Sequence, residues 1–561
     1  MKINKILFFA VAGLLAASCA DLDTEPAGGT ITADQKAEVV ANNPARTAAS
    51  VNGITANFTQ YDCLGDERHN DFGYPAQMLF LDTRGVDLVG FAIGYNWFSA
   101  GIYFTDRPLT SAPNLIIWCT LYNQIYTANA VAKLVDPATE DSTLKFYLAQ
   151  ALAIRAFDYF NLAQIYQFTY DGNTDAPCVP LVIGSINPEE DNTDAVASNG
   201  NPRATVGEVY AQIDKDINKA IELLEGSDFR RADRRYVDLA TAYGIRARIN
   251  LVKRDWNGAL NDAKAAIAAS DATPISIDEA SVPRFNDMSE KDWMWGVKVS
   301  ETDRVSTTGI CNWPSHMGSL NYGYASVGAW RRINSSLYDM IQPTDARKGW
   351  FLDADGVSAN LNAEQQDYIT NTAEAPAYTQ VKFAPYQGKI YDSTNASDIP
   401  LMRIEEMYLI QAEAEAMSGN PGQGASTLQS FIQTYRDPQY KASSTSAEDV
   451  QDQVWIQRRI ELWGEGLSYF DLMRLRKGID RASTNWANMS DDVKAYNYRE
   501  LDSPAEERTA INAVLKGQGA TTGSLINYLI FQIPNSEVQA NSQISEGDNN
   551  LGCPVIEPIN E

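Results

Sequence analysis

The sequence predicts a mainly α-helical protein whose helix pairs, of the tetratricopeptide (TPR) type, form an α-solenoid scaffold. Three observations predict it. Apolar residues recur at steps of three and four in several long segments, as on one face of a helix. Within residues 240–269, small and large residues follow the spacing of a TPR helix pair. Stretches rich in Gly, Asn, Ser and Pro separate these segments and predict long loop-rich insertions with a few short strands.

The N-terminus is the first element with a recognisable pattern. Two lysines precede an uninterrupted apolar run over residues 6–17, and small residues lead from it into Cys19. This order is typical of a secretory signal, and the run is shorter than the roughly 20 residues that a membrane-spanning helix needs. We therefore predict a lipoprotein signal peptide at 1–18, lipidation of Cys19, and a flexible acidic tether over 19–35. The alternative is an ordinary signal peptide followed by a chance cysteine.

The remaining residues, 36–561, have the composition of one folded domain. Hydrophobic residues make up 44% and charged residues 21% of the chain, which is typical of a globular protein. The formal net charge of −27 repels phosphate backbones and anionic lipid head groups. Nucleic acid and peripheral membrane binding are therefore poor predictions, whereas a neutral ligand is compatible with this surface.

Four blocks carry the helical pattern and are predicted as TPR-like helix pairs. They cover about residues 115–166, 205–269, 400–435 and 448–478. In the first block, the apolar steps predict one long amphipathic helix that ends at Tyr166. A generic α-helical domain is the alternative to the solenoid.

Loop-rich regions lie between these blocks, at about 62–110, 170–204 and 271–398, and are rich in aromatic residues. The alternating segment Trp293–Val299 predicts a short strand that buries its tryptophans. Long stretches without periodic pattern are commonly functional in compact proteins. We therefore expect the loop-rich side to face the ligand.

Catalytic and metal-binding patterns are missing from the sequence. The chain contains two histidines, His69 and His316, and no metal-ligand spacing, nucleophile elbow or phosphate loop. His69 is interpreted as an exposed polar residue. The cysteines form no close pairs along the chain, so free buried thiols are favoured over one or two long-range disulfides. We predict no metal and no cofactor.

One carboxylate pair could suggest a glycoside hydrolase. Glu461 and Glu465 share a helix face. Three arginines lie near enough in sequence to neutralise them: Arg458, Arg459 and Arg474. We interpret the pair as part of a buried structural ion network and predict that the protein is not an enzyme.

Six segments carry further motifs, in order along the chain. They are Asn42–Phe58, Trp118–Asn129, Arg155–Leu162, Pro400–Ala414, Arg458–Arg474 and Ile533–Asn541. Together these segments resemble the SusD/RagB family of outer-membrane lipoproteins. The strongest matches are the two sets around Arg403-Ile404-Glu405-Glu406 and Arg458-Arg459-Ile460-Glu461-Leu462.

This resemblance implies a SusD-like fold and a non-catalytic role at the cell surface. Members of the family sit as lids on SusC-like, TonB-dependent outer-membrane barrels and hold glycans, or in some members peptides. The implied partners are therefore a SusC-like transporter, contacted by the scaffold, and a glycan ligand, with the membrane reached through the lipid anchor. Two alternatives stay open: a RagB-like peptide-capturing lid, and a lipid-anchored TPR adaptor without a small ligand.

Two aromatic segments are the candidate ligand-binding sites. The apolar face of a sugar ring stacks on an aromatic ring, and its hydroxyls need polar side chains nearby. The first segment also falls where SusD-like proteins often carry a glycan-contacting loop. The candidates are Tyr95, Asn96, Trp97, Phe98 and Tyr103 in the first segment, and Trp313, Asn321, Tyr322, Tyr324 and Trp330 in the second. The alternative is that these rings pack onto the helices.

Overall fold

The computed structural model describes residues 47–90, 95–102, 104–477, 485–486 and 530–550. The predicted signal peptide, the lipidation site Cys19, the tether and the candidate Tyr103 lie outside these residues. Within the described part, the chain forms nineteen α-helices and four short strands, which confirms the mainly α-helical class.

The elements follow one another in this order. The helices are α1 (Ala48–Ala56), α2 (Tyr74–Arg84), α3 (Ser99–Ile102), α4 (Ala112–Ala132), α5 (Ser142–Tyr166), α6 (Thr193–Asn199), α7 (Val206–Glu225), α8 (Leu239–Lys253), α9 (Trp256–Ala269), α10 (Ile277–Ala280), α11 (Arg304–Thr307), α12 (Trp313–Met317), α13 (Ser335–Met340), α14 (Ala363–Asp367), α15 (Ile404–Met417), α16 (Pro421–Tyr435), α17 (Ala447–Glu461), α18 (Ser468–Arg474) and α19 (Asn535–Ala540). The strands are β1 (Leu88–Gly90), β2 (Trp293–Val297), β3 (Arg331–Ile333) and β4 (Ile399–Arg403).

The long helices form a continuous packed series. Helix α4 packs on α5, α5 on α7, α7 on α8, α8 on α9, α9 on α15, and α15 on both α16 and α17. At the α8–α9 turn, Arg254 adopts a left-handed conformation and the Asp255 side chain caps the next helix by accepting the Gly258 N–H at 2.9 Å. Ala259 and Ala263 are fully buried, which lets the two helices approach closely, as the TPR spacing predicts.

Helix α5 differs from its predicted form. Its apolar steps indicate one buried face, but the helix is buried on nearly all sides from Leu144 to Tyr166. Helices α4 and α7 cover two of those sides. The polar residues that this burial encloses are paired, as in the Arg155–Asp216 salt bridge of 2.7 Å. The helix is therefore the centre of the scaffold rather than an amphipathic surface helix.

The third predicted helix pair begins differently from its sequence pattern. Residues 401–403 belong to strand β4, and α15 starts at Ile404, whose backbone N–H donates to the Asp292 carbonyl at 2.9 Å. Pro400 disfavours helical geometry at the residue before it and so helps to keep this segment extended. Helix α16 begins at Pro421, since proline fits the first turn of a helix.

The strands connect the loop-rich side to the scaffold. Strands β2 and β4 pair antiparallel, and Trp293 and Trp295 are fully buried, as the alternating pattern predicts. Strands β1 and β3 also pair antiparallel, with Gly90 opposite Arg331. This second pair brings the segment that follows β1 next to the region around β3, and thereby joins the two candidate ligand-binding segments. No described helix is long and apolar enough to cross a membrane.

Candidate ligand-binding surface

Three exposed aromatic side chains come from the two candidate segments: Tyr95, Trp97 and Tyr322. The candidate Tyr324 is only 5% exposed and joins the two segments through its ring contacts with Tyr95 and His69. We call Tyr95, Trp97, His69, Tyr322 and Tyr324, together with Tyr391, the aromatic surface. Tyr95 is 59% exposed and Trp97 36% exposed, and the Tyr95 ring lies 6.4 Å from the ring of Tyr324. Tyr322, two residues before Tyr324, meets the exposed Tyr391 edge-on at 5.4 Å.

His69 supports the inner side of Trp97. The two rings stack with centroids 4.8 Å apart and an angle of 26° between their planes. The next residue, Asn70, is buried and donates from its amide to the Trp97 carbonyl at 2.7 Å. The Nδ1 of His69 hydrogen-bonds to the Tyr324 hydroxyl. The Trp97 ring is thus held on one side while about a third of the residue stays open to solvent.

A second stack lies beneath this first one. His316 is fully buried and is sandwiched between Phe72 and Tyr324, with ring centroids 5.6 and 4.6 Å away and nearly parallel planes. Its Nε2 donates to the His69 carbonyl at 2.9 Å. Burial, with a contribution from the nearby Arg331, lowers the pKa of His316 well below its usual range. The neutral imidazole therefore holds both Tyr324 and the backbone of His69.

Arg331 supports this arrangement from below. Its Nε donates to the His316 carbonyl at 2.9 Å, and its Nη1 donates to the Asn96 side-chain oxygen at 3.1 Å. The guanidinium carbon lies 5.8 Å from the Phe98 ring centroid. Burial lowers the pKa of Arg331 to about 9. Asn96 and Phe98 are buried parts of this support and do not present a surface to a ligand.

The other candidates from the second segment also lie in the interior. Trp313 packs edge-on against Phe383 at 4.9 Å and is 2% exposed, and Trp330 is buried as well. Asn321 is buried and donates to the Pro314 carbonyl at 3.0 Å and to the Asn395 side-chain oxygen at 2.6 Å. For Trp313, Trp330 and Asn321 the structure shows the packed alternative, because the glycine-rich segment folds back onto α12 instead of standing free.

Sequence reasoning missed three members of the site. The interpretation of His69 as an exposed polar residue is wrong, since the side chain is half-buried and stacked. His316 and Tyr391 carried no signal for the site beyond their residue type. Tyr391 has a left-handed backbone, with φ of 61°, which is uncommon outside glycine, but no pattern of the sequence predicts it.

The arrangement suits a neutral ligand with flat apolar faces and hydroxyl groups. Rings supported on one side lose little conformational freedom on binding, which favours stacking. The tyrosine hydroxyls around them both donate and accept hydrogen bonds. No cluster of three His, Cys, Asp or Glu side chains within the described residues could hold a metal ion.

The carboxylate pair of the scaffold lies in a buried ion network, as predicted, but with other partners. Glu461 binds Arg436 at 2.8 Å, Arg403 at 3.0 Å and Arg347 at 3.2 Å. Burial raises the pKa of Glu461, but these guanidinium groups outweigh it and hold the pKa well below its usual range. We call Glu461 and these arginines, with Lys382, Glu405, Glu465 and Asp292, the ion network.

The three arginines predicted to neutralise Glu461 and Glu465 bind elsewhere. Arg458 pairs with Asp471 at 2.7 Å, Arg459 with Asp87 at 2.5 Å, and Arg474 with Glu413 at 2.6 Å. This part of the prediction is wrong because proximity along α17 and α18 does not decide which side chains meet. Glu465 instead binds Lys382 at 2.6 Å and Arg403 at 2.9 Å.

Comparisons with known proteins identify similar chains. Residues 330–552 match the SusD family, and residues 86–251 match a family described as starch-binding and associating with the outer membrane. No curated protein sequence matches the chain.

Solved structures share the fold. A SusD-like carbohydrate-binding protein from Bacteroides vulgatus has a TM-score of 0.66 at 22% identity, with 91% of this chain and 98% of that chain covered. A SusD superfamily protein from Bacteroides thetaiotaomicron has a TM-score of 0.63 at 18% identity, with 89% and 98% covered. A laminarin-binding SusD-like protein has a TM-score of 0.57 at 18% identity, with 89% and 98% covered.

Proposed function

Because this chain is a SusD/RagB-like protein, we propose that it is a lipid-anchored cell-surface protein that binds glycans and delivers them to a SusC-like transporter. The transporter is of the TonB-dependent outer-membrane type. The aromatic surface binds the glycan, and the helical scaffold contacts the transporter. The protein has no catalytic activity of its own.

One observation carries the choice of ligand: the Trp97 ring is exposed on one side and stacked on His69 on the other. An aromatic ring held in this way offers a flat apolar face to the C–H face of a sugar. Stacked aromatic contacts contribute roughly 0.5–1.5 kcal/mol beyond the burial of area. Tyr95, whose ring lies 6.4 Å from that of Tyr324, and Tyr322 are also exposed and offer an oligosaccharide further rings to contact.

Binding without catalysis is supported by the ion network. A glycosidase needs one carboxyl group that keeps its proton near neutral pH and a second that stays ionised. In the ion network, burial raises the pKa of Glu405 to about 7, while Glu461 is held ionised by three arginines. Both carboxyl groups are fully buried and bound to Arg403 and Arg436, and the buried Glu465 is bound to Lys382, so a glycosidic bond cannot reach them. Incubation of the protein with the glycan that it binds should therefore release no shorter products.

Calorimetric titration of the protein lacking residues 1–19 tests the choice of ligand. The panel contains laminarin, starch-derived oligosaccharides, other plant and microbial polysaccharides, and a peptide digest. We expect saturable binding to at least one neutral glycan and none to the digest. Binding to peptides alone would replace the glycan with a RagB-like peptide ligand, and silence across the panel would favour a lid or adaptor without a small ligand.

Two further experiments test the membrane anchor and the transporter partner. We expect Cys19→Ala to release the protein from the membrane, with the acyl group found on Cys19 of the wild-type protein by mass spectrometry. An outer-membrane barrel should co-purify with the wild-type protein from gently solubilised membranes. Recovery of a free monomer alone would contradict delivery to a transporter.

A further inference from the structure

A groove between α15 and α16 lies outside the aromatic surface and outside the ion network. It has a volume of about 370 Å³. Its lining contains no charged side chain, although the chain carries a net charge of −27. The lining residues are Tyr408, Gln411, Gln423, Ser426, Thr427, Ser430, Phe431, Thr434 and Tyr435.

Three aromatic rings form one wall of the groove. Tyr408 stacks on Phe431 with centroids 5.3 Å apart and planes only 8° from parallel, and Tyr435 lies 5.7 Å from Phe431. Phe431 is buried, whereas Tyr408 and Tyr435 are half-buried and line the groove. Steps of three and four along α16 place the ring residues and the hydroxyl residues on the same side of the helix. A supported ring therefore faces an open polar cleft here too.

The polar side of the groove is held in place by one buried carboxylate. Glu415 is 3% exposed and accepts from Gln411 at 3.0 Å and from Thr427 at 2.5 Å. Lys264 lies 3.1 Å from the same carboxylate. These bonds fix two of the polar lining side chains before any ligand arrives, while Ser426, Ser430 and Thr434 are exposed.

We propose that this groove is a second saccharide-binding site, specific for a neutral mono- or disaccharide unit. Tyrosine rings supply faces for stacking, and hydroxyl and amide groups supply hydrogen bonds. The uncharged lining gives no counter-charge to an ionic ligand. The volume lies at the small end of the range of about 300–1,000 Å³ for ligand sites. The inference rests on the proposed glycan-binding function for its ligand class.

Ligand-observed NMR titration of the full protein with maltose and laminaribiose tests the second site. Trp97→Ala reduces binding at the aromatic surface. Ser430→Arg or Thr434→Arg places a large side chain in the groove from an exposed position of α16. Ala211→Arg adds the same group at an exposed position of α7 and is the matched control. In the Trp97→Ala protein we expect residual binding with a Kd of about 1 mM. Either groove substitution should weaken this residual binding at least tenfold, and Ala211→Arg should leave it unchanged.

The outcomes separate this inference from the proposed function. If Trp97→Ala alone abolishes disaccharide binding, or if both groove substitutions leave it unchanged, the second site is overturned and the aromatic surface stands. If the wild-type protein binds no saccharide, both proposals are overturned together.

Discussion

The aromatic surface and the ion network are built from opposite uses of burial. In the ion network, each charged group is enclosed and meets its counter-charge, as Glu461 meets Arg403 and Arg436. In the aromatic surface, the Trp97 ring is supported on one side by His69 and left open on the other, while the buried Tyr324 and His316 stack beneath it. Because the ion network exposes none of its charged groups to solvent, it can only stabilise the fold. The aromatic surface holds its side chains in place and exposes some of them to solvent, so it can bind a ligand.

The largest expected effect comes from breaking the ion network. Glu461→Gln leaves the buried Arg347, Arg403 and Arg436 without their shared carboxylate. Removing one partner of a buried ion pair costs about 3–5 kcal/mol. We expect the free energy of unfolding, measured by denaturant titration, to fall by this amount. Glu448→Gln, at an exposed position of the same helix, is the control and should change it by less than about 1 kcal/mol. Equal losses in the two variants would contradict a structural role for the network.

Removing the stacking face that His69 supports should affect binding more than stability. We expect Trp97→Ala to weaken glycan affinity at least tenfold, or by about 1.4 kcal/mol, in a calorimetric titration. Tyr126→Ala is the control, because Tyr126 is a 74% exposed ring on α4 away from the aromatic surface. Tyr126→Ala should leave the free energy of unfolding unchanged, and Trp97→Ala should lower it by about 0.5–1.5 kcal/mol because the stack on His69 is lost. A Trp97→Ala protein with full affinity would remove Trp97 from the site.

The buried His316 should make the support of the surface sensitive to acid. Its folded-state pKa lies well below 6.5, so below pH 6.5 the unfolded chain takes up a proton that the folded chain does not. Stability is therefore lost as the pH falls below 6.5. Between pH 7.5 and 5.5, wild-type protein should lose about 1.4 kcal/mol more than His316→Phe, which lacks this group. Parallel stability curves for the two proteins would show that His316 takes up its proton in the folded state.

The smallest expected effect comes from one hydroxyl group. Tyr324→Phe keeps the ring on His316 but removes the hydrogen bond to His69. We expect a loss of about 1 kcal/mol in stability and a roughly threefold loss of glycan affinity, because Trp97 is less firmly supported. Tyr391→Phe, which removes a hydroxyl from an exposed ring, serves as the comparison. Stronger weakening by Tyr391→Phe would move the centre of the site toward Tyr391.

Much of the scaffold could be predicted because its signals are local. Helices α7, α8 and α9 follow from apolar steps and from caps such as the Thr205–Glu208 capping box, all within a few residues. The start of α15 could not be predicted from local signals, since it depends on the pairing of β4 with β2, which joins residues about a hundred positions apart. The burial of all sides of α5 likewise depends on its neighbours and not on its own pattern.

The sequence predicted the types of residue that form the candidate site, but only some of the individual residues. Tyr95, Trp97 and Tyr322 lie on the surface, but nothing local separates them from Phe98 and Trp313, which are buried. The exposure of Trp97 depends on its stack with His69, which precedes it by 28 residues. His69 in turn hydrogen-bonds to Tyr324, which lies 255 residues further along the chain. Which ring stays open is decided by such distant partners.

The most direct test of this division is to measure glycan affinity of Glu461→Gln and Trp97→Ala under conditions in which both are folded. We use the glycan that binds the wild-type protein best, at a temperature below the unfolding transition of either variant. We expect Glu461→Gln to bind with wild-type affinity despite its much lower stability, and Trp97→Ala to bind at least tenfold more weakly although it loses less stability than Glu461→Gln. A folded Glu461→Gln protein that loses affinity as Trp97→Ala does, or a Trp97→Ala protein that binds normally, would contradict the division between the two regions.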